Sequence, residues 1–260
     1  MMGTECCRIA MWSGPRNIST AMMRAFENRD DCMVVDEPFY ATYLAATGID
    51  HPGRDEILAS QPQDWQTVVS QLLGETPTAV FYQKHMTQHI LPGRDLTFTE
   101  SLRNCFLIRD PRRIIASYAK VRLSFTLEEL GFPQQKALFD RECERLGEAP
   151  PVLDAARTLA QPEVALRQLC ERLDIPFTAS MLSWPAGKRD SDGVWAPHWY
   201  SAVWESTGFS SGEEEQRKAV TLSAEHEALC ATASAFYEGM LAYALEAPLK
   251  PSGGESRGYG

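Results

Sequence analysis

The sequence predicts an α/β fold with three layers, in which a central parallel sheet lies between two layers of helices. Short apolar segments of strand type alternate along the chain with segments whose apolar residues recur at helical spacing. The clearest unit is an apolar strand over residues 8–12, a turn containing Gly14 and Pro15, and a helix over residues 18–28. Repeated units of this kind are typical of a parallel sheet covered on both faces.

Further elements follow the same alternation. Strands are predicted over residues 32–35, 79–82, 104–108 and 152–154. Helices are predicted over residues 39–46, 65–73, 111–122, 127–146 and 162–173, and from a cap at Ser223 to residue 245. Residues 51–63 and 184–209 are predicted to be loops, and the aromatic residues near the end of the second loop are either a lid over a ligand or a peripheral part of the core.

Composition limits the class of protein. The chain has 260 residues, of which 44% are apolar, and we expect one domain over residues 1–246 and a disordered tail over residues 247–260. The net charge of −10 argues against a nucleic-acid partner but is compatible with a small anionic ligand held by a few arginines. The composition does not predict the oligomeric state.

Location is predicted from what the sequence lacks. No apolar run is long enough to cross a membrane, so no membrane partner is expected. The N-terminal residues show no secretion signal. The seven cysteines, an odd number without a C-x-x-C pair, fit a reducing compartment better than a disulfide framework. We therefore expect a cytoplasmic protein.

The turn after the first strand has the features of an anion site. A helix that opens directly after such a turn directs backbone N–H groups and its positive end toward one spot. Arg16 adds a positive charge there, Ser19 and Thr20 add hydroxyl groups, and Asn17 or Ser19 is predicted to cap the helix. The Gly-Lys-Ser/Thr of a Walker loop does not follow Gly14, so no residue is placed to hold Mg²⁺. An ordinary strand-to-helix connection is the alternative interpretation.

Charged residues follow the ends of four predicted strands, namely Arg16, Glu37, Lys84 with His85, and Arg109. The carboxyl ends of parallel strands meet at one edge of the sheet, where α/β proteins bind their ligands. We therefore expect these side chains to surround a single site.

Two segments of the chain together resemble the sulfotransferases that use 3′-phosphoadenosine-5′-phosphosulfate (PAPS), and the chain looks most like the bacterial small-molecule members. In that family a Lys-Ser-Gly-Thr-Thr loop binds the 5′-phosphosulfate, and residues 16–20 occupy its place here. A later strand ends in an arginine followed eight residues on by a serine, and both hold the 3′-phosphate; Arg109 and Ser117 have that spacing. Without the resemblance, the motif is better explained by an Arg109 that pairs with Asp110 or a helix C-terminus and by a Ser117 that bonds back to its own helix.

The resemblance implies a fold like that of the P-loop NTPases. It also implies transfer of the sulfuryl group of PAPS to a hydroxyl or amine of a small-molecule acceptor, without a required metal. The implied PAPS contacts are Arg109, Ser117 and the turn residues Ser13, Gly14, Pro15, Arg16, Asn17, Ile18, Ser19 and Thr20. A late Gly-rich basic segment of the family is loosely matched by residues 187–193, which adds Lys188, Arg189 and Gly193.

The chain departs from the family pattern at three positions of the first motif. Arg16 replaces a lysine, which keeps the positive charge but gives no proton. Ile18 replaces a glycine, and Ala21 stands where a tryptophan often stacks on adenine. The adenine is therefore expected to be held by other residues.

Three residues are the candidate catalytic groups. Many relatives carry Lys-x-His with the histidine as base, and Lys84 with His85 is one residue shorter. We assign His85 as the base because an ordinary histidine titrates near neutral pH. Glu37 is assigned to orient the acceptor and is the alternative base, because carbohydrate-type relatives use a glutamate in that region. Arg16 is assigned to stabilise charge on the leaving phosphate.

Two other functions remain open from the sequence. A nucleotide or small-molecule kinase shares this fold but needs a Walker loop and a carboxylate for Mg²⁺. A non-catalytic adenosine-phosphate-binding protein needs Arg109 and Ser117 but no base. His85 and His89 have the i, i+4 spacing of some zinc ligands, but the intervening glutamate is missing, and no metal site is expected.

Overall fold

The structure, a computed structural model, describes residues 6–122, 124–210 and 219–245. Its strands are β1 (Cys7–Ser13), β2 (Cys32–Asp36), β3 (Val80–Met86), β4 (Arg103–Ile108) and β5 (Val152–Asp154). They form one five-stranded sheet in the order β2-β3-β1-β4-β5, and every pairing is parallel. The predicted α/β class is confirmed. The predicted tail over residues 247–260 lies outside the described residues.

Eleven α-helices lie in the described parts of the chain. They are α1 (Ser19–Glu27), α2 (Tyr40–Thr47), α3 (Arg54–Ser60), α4 (Trp65–Leu73), α5 (Pro111–Tyr118), α6 (Phe132–Leu146), α7 (Ala155–Ala160), α8 (Pro162–Arg172), α9 (Ala196–Trp199), α10 (Ser201–Trp204) and α11 (Ala224–Leu241). The predicted cap of the last helix is confirmed, because the Ser223 hydroxyl accepts a hydrogen bond from the His226 N–H.

Helices cover both faces of the sheet because side chains alternate along each strand. On β1, Ile9 and Met11 pack toward α1 and α8, whereas Ala10 and Trp12 pack toward α4, α6 and α11. Burial of each large apolar side chain in these layers stabilises the fold by about 1.5–3 kcal/mol. The two layers fix β1, and hence the turn that follows it, in the middle of the sheet.

Strand β3 is longer than the sequence predicts. It continues through Lys84 and His85 to Met86, because these residues pair in register with the last residues of β1. Successive side chains of a strand point to opposite faces. Lys84 and His85 therefore lie on opposite sides of the sheet.

Several predicted boundaries are corrected. The predicted loop over residues 51–63 contains α3, which buries Ile57, and the predicted loop over residues 184–209 contains α9 and α10. Helix α6 begins later than predicted because Gly131 before it has a left-handed backbone, with φ of 74°. Within the described ranges, no helix has the length and apolarity needed to span a bilayer. The cysteines there are free thiols, of which Cys105, Cys170 and Cys230 are buried.

Candidate active site

A cavity of about 360 Å³ lies at the carboxyl edge of the sheet. It is lined by the turn after β1, by Glu37 after β2, by Lys84 of β3 and by Arg109 after β4. Helices α5 and α10 and residues 206–210 form other walls. Four strand ends thus converge on one space, as parallel topology requires.

The turn after β1 is held by the sheet and leaves the start of α1 uncapped. The Asn17 amide donates to the Leu107 carbonyl at 3.0 Å, and its oxygen accepts from the Ile18 N–H at 2.8 Å. Ile18 occupies the cap position of α1, and no side chain caps the helix, so neither Asn17 nor Ser19 acts as predicted. The first N–H groups of the helix remain for a ligand.

Arg16, Arg109 and Ser117 are brought together at this turn. The Arg16 Nε donates to the Ser117 hydroxyl at 2.9 Å, and the Arg109 guanidinium donates to the Arg16 carbonyl at 2.7 Å. All three line the cavity. Arg16 has φ of 57°, a left-handed conformation that is uncommon for a residue with a side chain. The contact from Arg109 fixes the carbonyl of this strained residue.

The other turn residues divide into two groups. Pro15, Ile18, Ser19 and Thr20 line the cavity with Arg16 and Asn17. Ser13 is buried beside Met86, and Gly14 approaches the Leu130 carbonyl so closely that a Cβ would lie 2.7 Å from its oxygen. Ser13 and Gly14 therefore shape the turn and do not line the cavity.

The late basic segment does not line the cavity either. Lys188 lies over the Trp204 ring at 4.9 Å, and the Arg189 N–H donates to the Asp192 carboxylate at 2.9 Å. Asp192 also forms an ion pair with Arg24, a buried residue of α1. These contacts attach the segment to the scaffold, and neither Lys188 nor Arg189 lines the cavity.

Gly193 has a structural place in the same segment. Its N–H donates to Asp36 at 3.3 Å, and a Cβ at this position would meet the Trp195 ring at 2.1 Å. Gly193 is therefore required by the packing of Trp195, and it lies outside the lining of the cavity.

A buried network of charges lies beneath the opposite wall. The Lys84 ammonium, with 1% of its side chain exposed, donates to Asp36 at 2.8 Å and to Glu37 Oε1 at 2.7 Å. Its third hydrogen bond, at 2.6 Å, goes to the Tyr200 hydroxyl. That hydroxyl donates to the second oxygen of Asp36 at 2.7 Å and accepts from the Trp195 indole at 3.2 Å.

Burial and neighbouring charges shift the pKa values of the groups in this network. Although burial opposes its charged form, the carboxylates of Asp36 and Glu37 raise the pKa of Lys84 well above its usual value. Burial, reinforced by the neighbouring Asp36, raises the pKa of Glu37 above the usual carboxyl value despite the contact with Lys84. Glu37 is also left-handed, with φ of 43°. A carboxylate whose pKa is raised in this way is a better proton acceptor.

Tyr200 belongs to the site, although no sequence pattern assigns it a role beyond the aromatic segment. The available signal is chemical: the hydroxyl of a buried tyrosine needs a hydrogen-bond partner, and charged residues at strand ends can supply one. The same segment splits in its packing, since Trp195 is buried in the core whereas Trp199 and Phe209 line the cavity. The core interpretation is confirmed for Trp195, and the lid interpretation stays a prediction for Trp199 and Phe209.

The structure places His85 away from the cavity. Its ring stacks on Trp12 at 4.2 Å between centroids and also contacts Phe39, and Nε2 lies 3.1 Å from the Gln83 amide oxygen. Burial lowers the pKa of His85 to about 3. The assignment of His85 as base is corrected, because the alternation of β3 directs this ring into the layer opposite Lys84.

A different histidine lines the cavity. His89 lies in a short 3-10 helix (Thr87–His89), and its ring stacks on Tyr40 at 4.6 Å between centroids. Its Nε2 is 4.0 Å from Glu37 Oε2. In the sequence, only its spacing from His85 drew attention to His89, as a candidate metal ligand. The described residues contain no group of three or more side chains suited to hold a metal ion.

Solved sulfotransferase structures share this fold. The sulfotransferase domain from the Synechococcus PCC 7002 olefin synthase has a TM-score of 0.58 and 14% identity, over 95% of this chain and 98% of that one. The sulfotransferase domain from the curacin biosynthetic pathway has a TM-score of 0.54 and 14% identity, over 88% of this chain and 98% of that one. A sulfotransferase from Alicyclobacillus acidocaldarius has a TM-score of 0.53 and 10% identity, over 91% and 96%.

Sequence comparison extends this likeness. Branched-chain-amino-acid aminotransferase-like protein 1 of Arabidopsis thaliana is 42% identical over 210 residues, which are 80% of this chain and 38% of that protein. Branched-chain-amino-acid aminotransferase-like protein 2 of the same organism is 39% identical over 207 residues, which are 79% of this chain and 37% of that protein. The chain thus spans less than two fifths of these relatives' length. The family described as "Sulfotransferase domain" matches residues 7–244. The chain belongs to the sulfotransferase domain family.

Proposed function

We propose that the protein transfers the sulfuryl group of PAPS to a small-molecule acceptor. The observation that carries this proposal is the meeting of Arg16, Arg109 and Ser117 at the uncapped start of α1. Two guanidinium groups, a hydroxyl and free helical N–H groups are the donors that phosphate and sulfate groups require. Family membership supports the same conclusion.

The cavity also offers a surface for the base of a nucleotide. Phe209 lines it and packs in the same cluster as Ile18 and Ala21, two of the three positions that depart from the family pattern. We propose that the Phe209 ring contacts the adenine in place of the tryptophan that Ala21 replaces. PAPS, when bound, supplies an activated sulfuryl group with a good leaving group.

Residues on the two sides of the cavity have different proposed roles in the reaction. Arg16 stabilises charge that develops on the leaving phosphate, because its guanidinium lies at the turn where phosphate is expected. Glu37 accepts the acceptor's proton through Oε2, since Oε1 is held by Lys84. Lys84 and Tyr200 keep that carboxylate in place. Glu37 thus replaces His85 as our proposed base.

Calorimetric binding tests the proposal. If Arg109 and Ser117 hold a 3′-phosphate, adenosine 3′,5′-bisphosphate should bind at least about tenfold more tightly than AMP, because a charge-assisted hydrogen bond contributes about 1.5–3 kcal/mol. Ser117→Ala should narrow this difference and leave AMP affinity unchanged. Equal affinity of the wild-type protein for the two nucleotides would remove the proposal.

A turnover assay separates the remaining alternatives. Labelled PAPS and a panel of acceptors should give labelled product, and activity should survive exhaustive chelation because sulfuryl transfer from PAPS does not require a metal. Product formed from ATP, lost with EDTA and restored by Mg²⁺, would favour the kinase. Tight binding of the bisphosphate without turnover of any acceptor would favour a non-catalytic binding protein.

A further inference from the structure

His89 and Glu37 face each other across a gap of one atom. His89 Nε2 and Glu37 Oε2 are 4.0 Å apart, which is too long for a direct hydrogen bond. If an oxygen lay at hydrogen-bond distance, about 2.8 Å, from both atoms, the angle between its two contacts would be about 90°. A hydroxyl oxygen tolerates this angle without strain. Both residues line the cavity. The gap therefore fits a single reacting atom of the acceptor.

The surroundings of His89 decide which of its nitrogens carries the proton. Nδ1 is buried and has no hydrogen-bond partner within the described ranges. A buried N–H without an acceptor is costly, and such donors are rarer in proteins than acceptors without a donor. Burial, together with the positive charge of Lys84, lowers the pKa of His89 well below its usual value, so the ring is neutral. A neutral ring without a proton on Nδ1 carries it on Nε2.

Packing fixes the direction of this donor. The His89 ring stacks on Tyr40, and Tyr43 contacts it at 5.0 Å between centroids. The Tyr40 hydroxyl is engaged with His51 Nδ1 at 2.6 Å. These contacts keep the ring plane in place, and Nε2 is directed toward Glu37.

We propose that His89 donates a hydrogen bond from Nε2 to the reacting atom of the acceptor and thereby selects hydroxyl acceptors over amines. This inference rests on the proposed sulfotransferase function and on Glu37 as its base. It assigns the acceptor class that the family likeness leaves open.

The selection follows from counting lone pairs. A hydroxyl oxygen has two: one accepts the hydrogen bond from His89, and the other forms the new bond to sulfur. Its proton passes to Glu37 Oε2, and the bond between sulfur and the bridging oxygen breaks with its electron pair on the 5′-phosphate. A neutral amine has a single lone pair, and if that pair accepts from His89 it is not available to attack sulfur.

Nitrogen-15 NMR of the histidine side chains tests the tautomer without any acceptor. In the complex with adenosine 3′,5′-bisphosphate at pH 7.5, we expect His89 to be neutral with its proton on Nε2. His89→Phe, which keeps a ring against Tyr40, identifies the signal by its loss. A proton on Nδ1, or a charged ring, would overturn the inference even though bisphosphate binding, and with it the proposed function, remained intact.

A matched pair of acceptors tests the selection. Phenol and aniline, and 1-naphthol and 1-naphthylamine, are neutral at this pH, and each is offered with labelled PAPS. In His89→Phe the rate ratio of hydroxyl to amine should fall about tenfold through kcat, the loss expected for one hydrogen bond. His85→Phe, an equally buried histidine outside the cavity, should keep the wild-type ratio. An unchanged ratio in His89→Phe refutes the inference. If the protein turns over none of these acceptors, the tautomer measured by NMR decides the inference by itself.

Discussion

The two walls of the cavity are built in different ways. The wall of Arg16, Arg109 and Ser117, which we call the phosphate wall, consists of half-buried side chains on a turn and a helix. The opposite wall, which we call the carboxylate wall, consists of the buried Asp36, Glu37, Lys84 and Tyr200, and its members come from β2, β3 and the segment between α9 and α10. The first offers donors to a ligand, whereas the polar groups of the second, apart from Glu37 Oε2, are hydrogen-bonded to one another.

This difference indicates that ligand binding and proton transfer depend on different walls of the cavity. Donors on the phosphate wall can exchange water for a ligand at little cost to the fold. The charges of the carboxylate wall stabilise one another, so a change there affects both the reaction and the stability of the chain. Substitutions on the two walls should therefore have different signatures.

The largest effect is expected from Glu37→Gln. Loss of a general base lowers the rate by roughly 10²–10⁴. The amide oxygen still accepts from Lys84, so the fold and the affinity for adenosine 3′,5′-bisphosphate should be retained. Steady-state kinetics and calorimetry on the same preparation measure both. Full activity of Glu37→Gln would mean that the carboxylate wall has no part in proton transfer.

Lys84→Met should chiefly affect stability. It leaves two buried carboxylates without their cation, and breaking a buried ion pair in this way lowers the free energy of unfolding by about 3–5 kcal/mol. Denaturant titration measures the change. The double variant Lys84→Met with Glu37→Gln should recover part of the loss, because one of the unpaired charges is removed. No recovery would show that the loss comes from packing.

Arg16→Ala tests the phosphate wall. If Arg16 contacts the group that gains charge in the transition state, kcat should fall by roughly 10²-fold, a loss typical of one donor to a developing charge. KM for PAPS should rise less. An unchanged kcat at saturation would make Arg16 a binding residue only.

The pH dependence of kcat provides a second test of Glu37 as the base. Glu37 acts as base only when it is ionised, so the rate should fall about tenfold for each pH unit below its pKa. Because burial raises that pKa, the acidic limb should lie above 4.5, the ordinary carboxyl value. The limb should be absent in Glu37→Gln. A limb that persists in this variant belongs to another group.

The smallest effect is expected from His85→Phe. The aromatic ring can retain the stack on Trp12, and His85 does not line the cavity. Turnover should stay within a few-fold of wild type, in contrast to the loss expected for Glu37→Gln. A variant that folds but is inactive would restore His85 as the base and overturn the assignment made from the geometry.

The phosphate wall was predictable because its signal is local. Arg16 follows an apolar strand, and Arg109 and Ser117 have the spacing, on a strand end and a helix, that the resemblance to the sulfotransferases identifies. The carboxylate wall depends on register: pairing with β1 extends β3 through His85, which reverses the side to which that ring points. Tyr200 and His89 reach the site only through tertiary packing, which no spacing in the sequence encodes. The strand order likewise became known from the structure alone.

Each wall contains a residue whose backbone is left-handed, Arg16 in one and Glu37 in the other. Such a conformation costs about 1–2 kcal/mol per residue with a side chain, and glycine avoids this cost. Of the three described residues that have a side chain and a left-handed backbone, Arg16, Glu37 and Asp174, the first two are those on which we propose that the reaction depends. Glycine at Glu37 would also remove a carboxylate from the buried Lys84, whereas glycine at Arg16 breaks no buried ion pair. A selection for thermal tolerance alone would favour glycine at Arg16 and would discard activity, so directed evolution of this protein needs turnover in every round of screening.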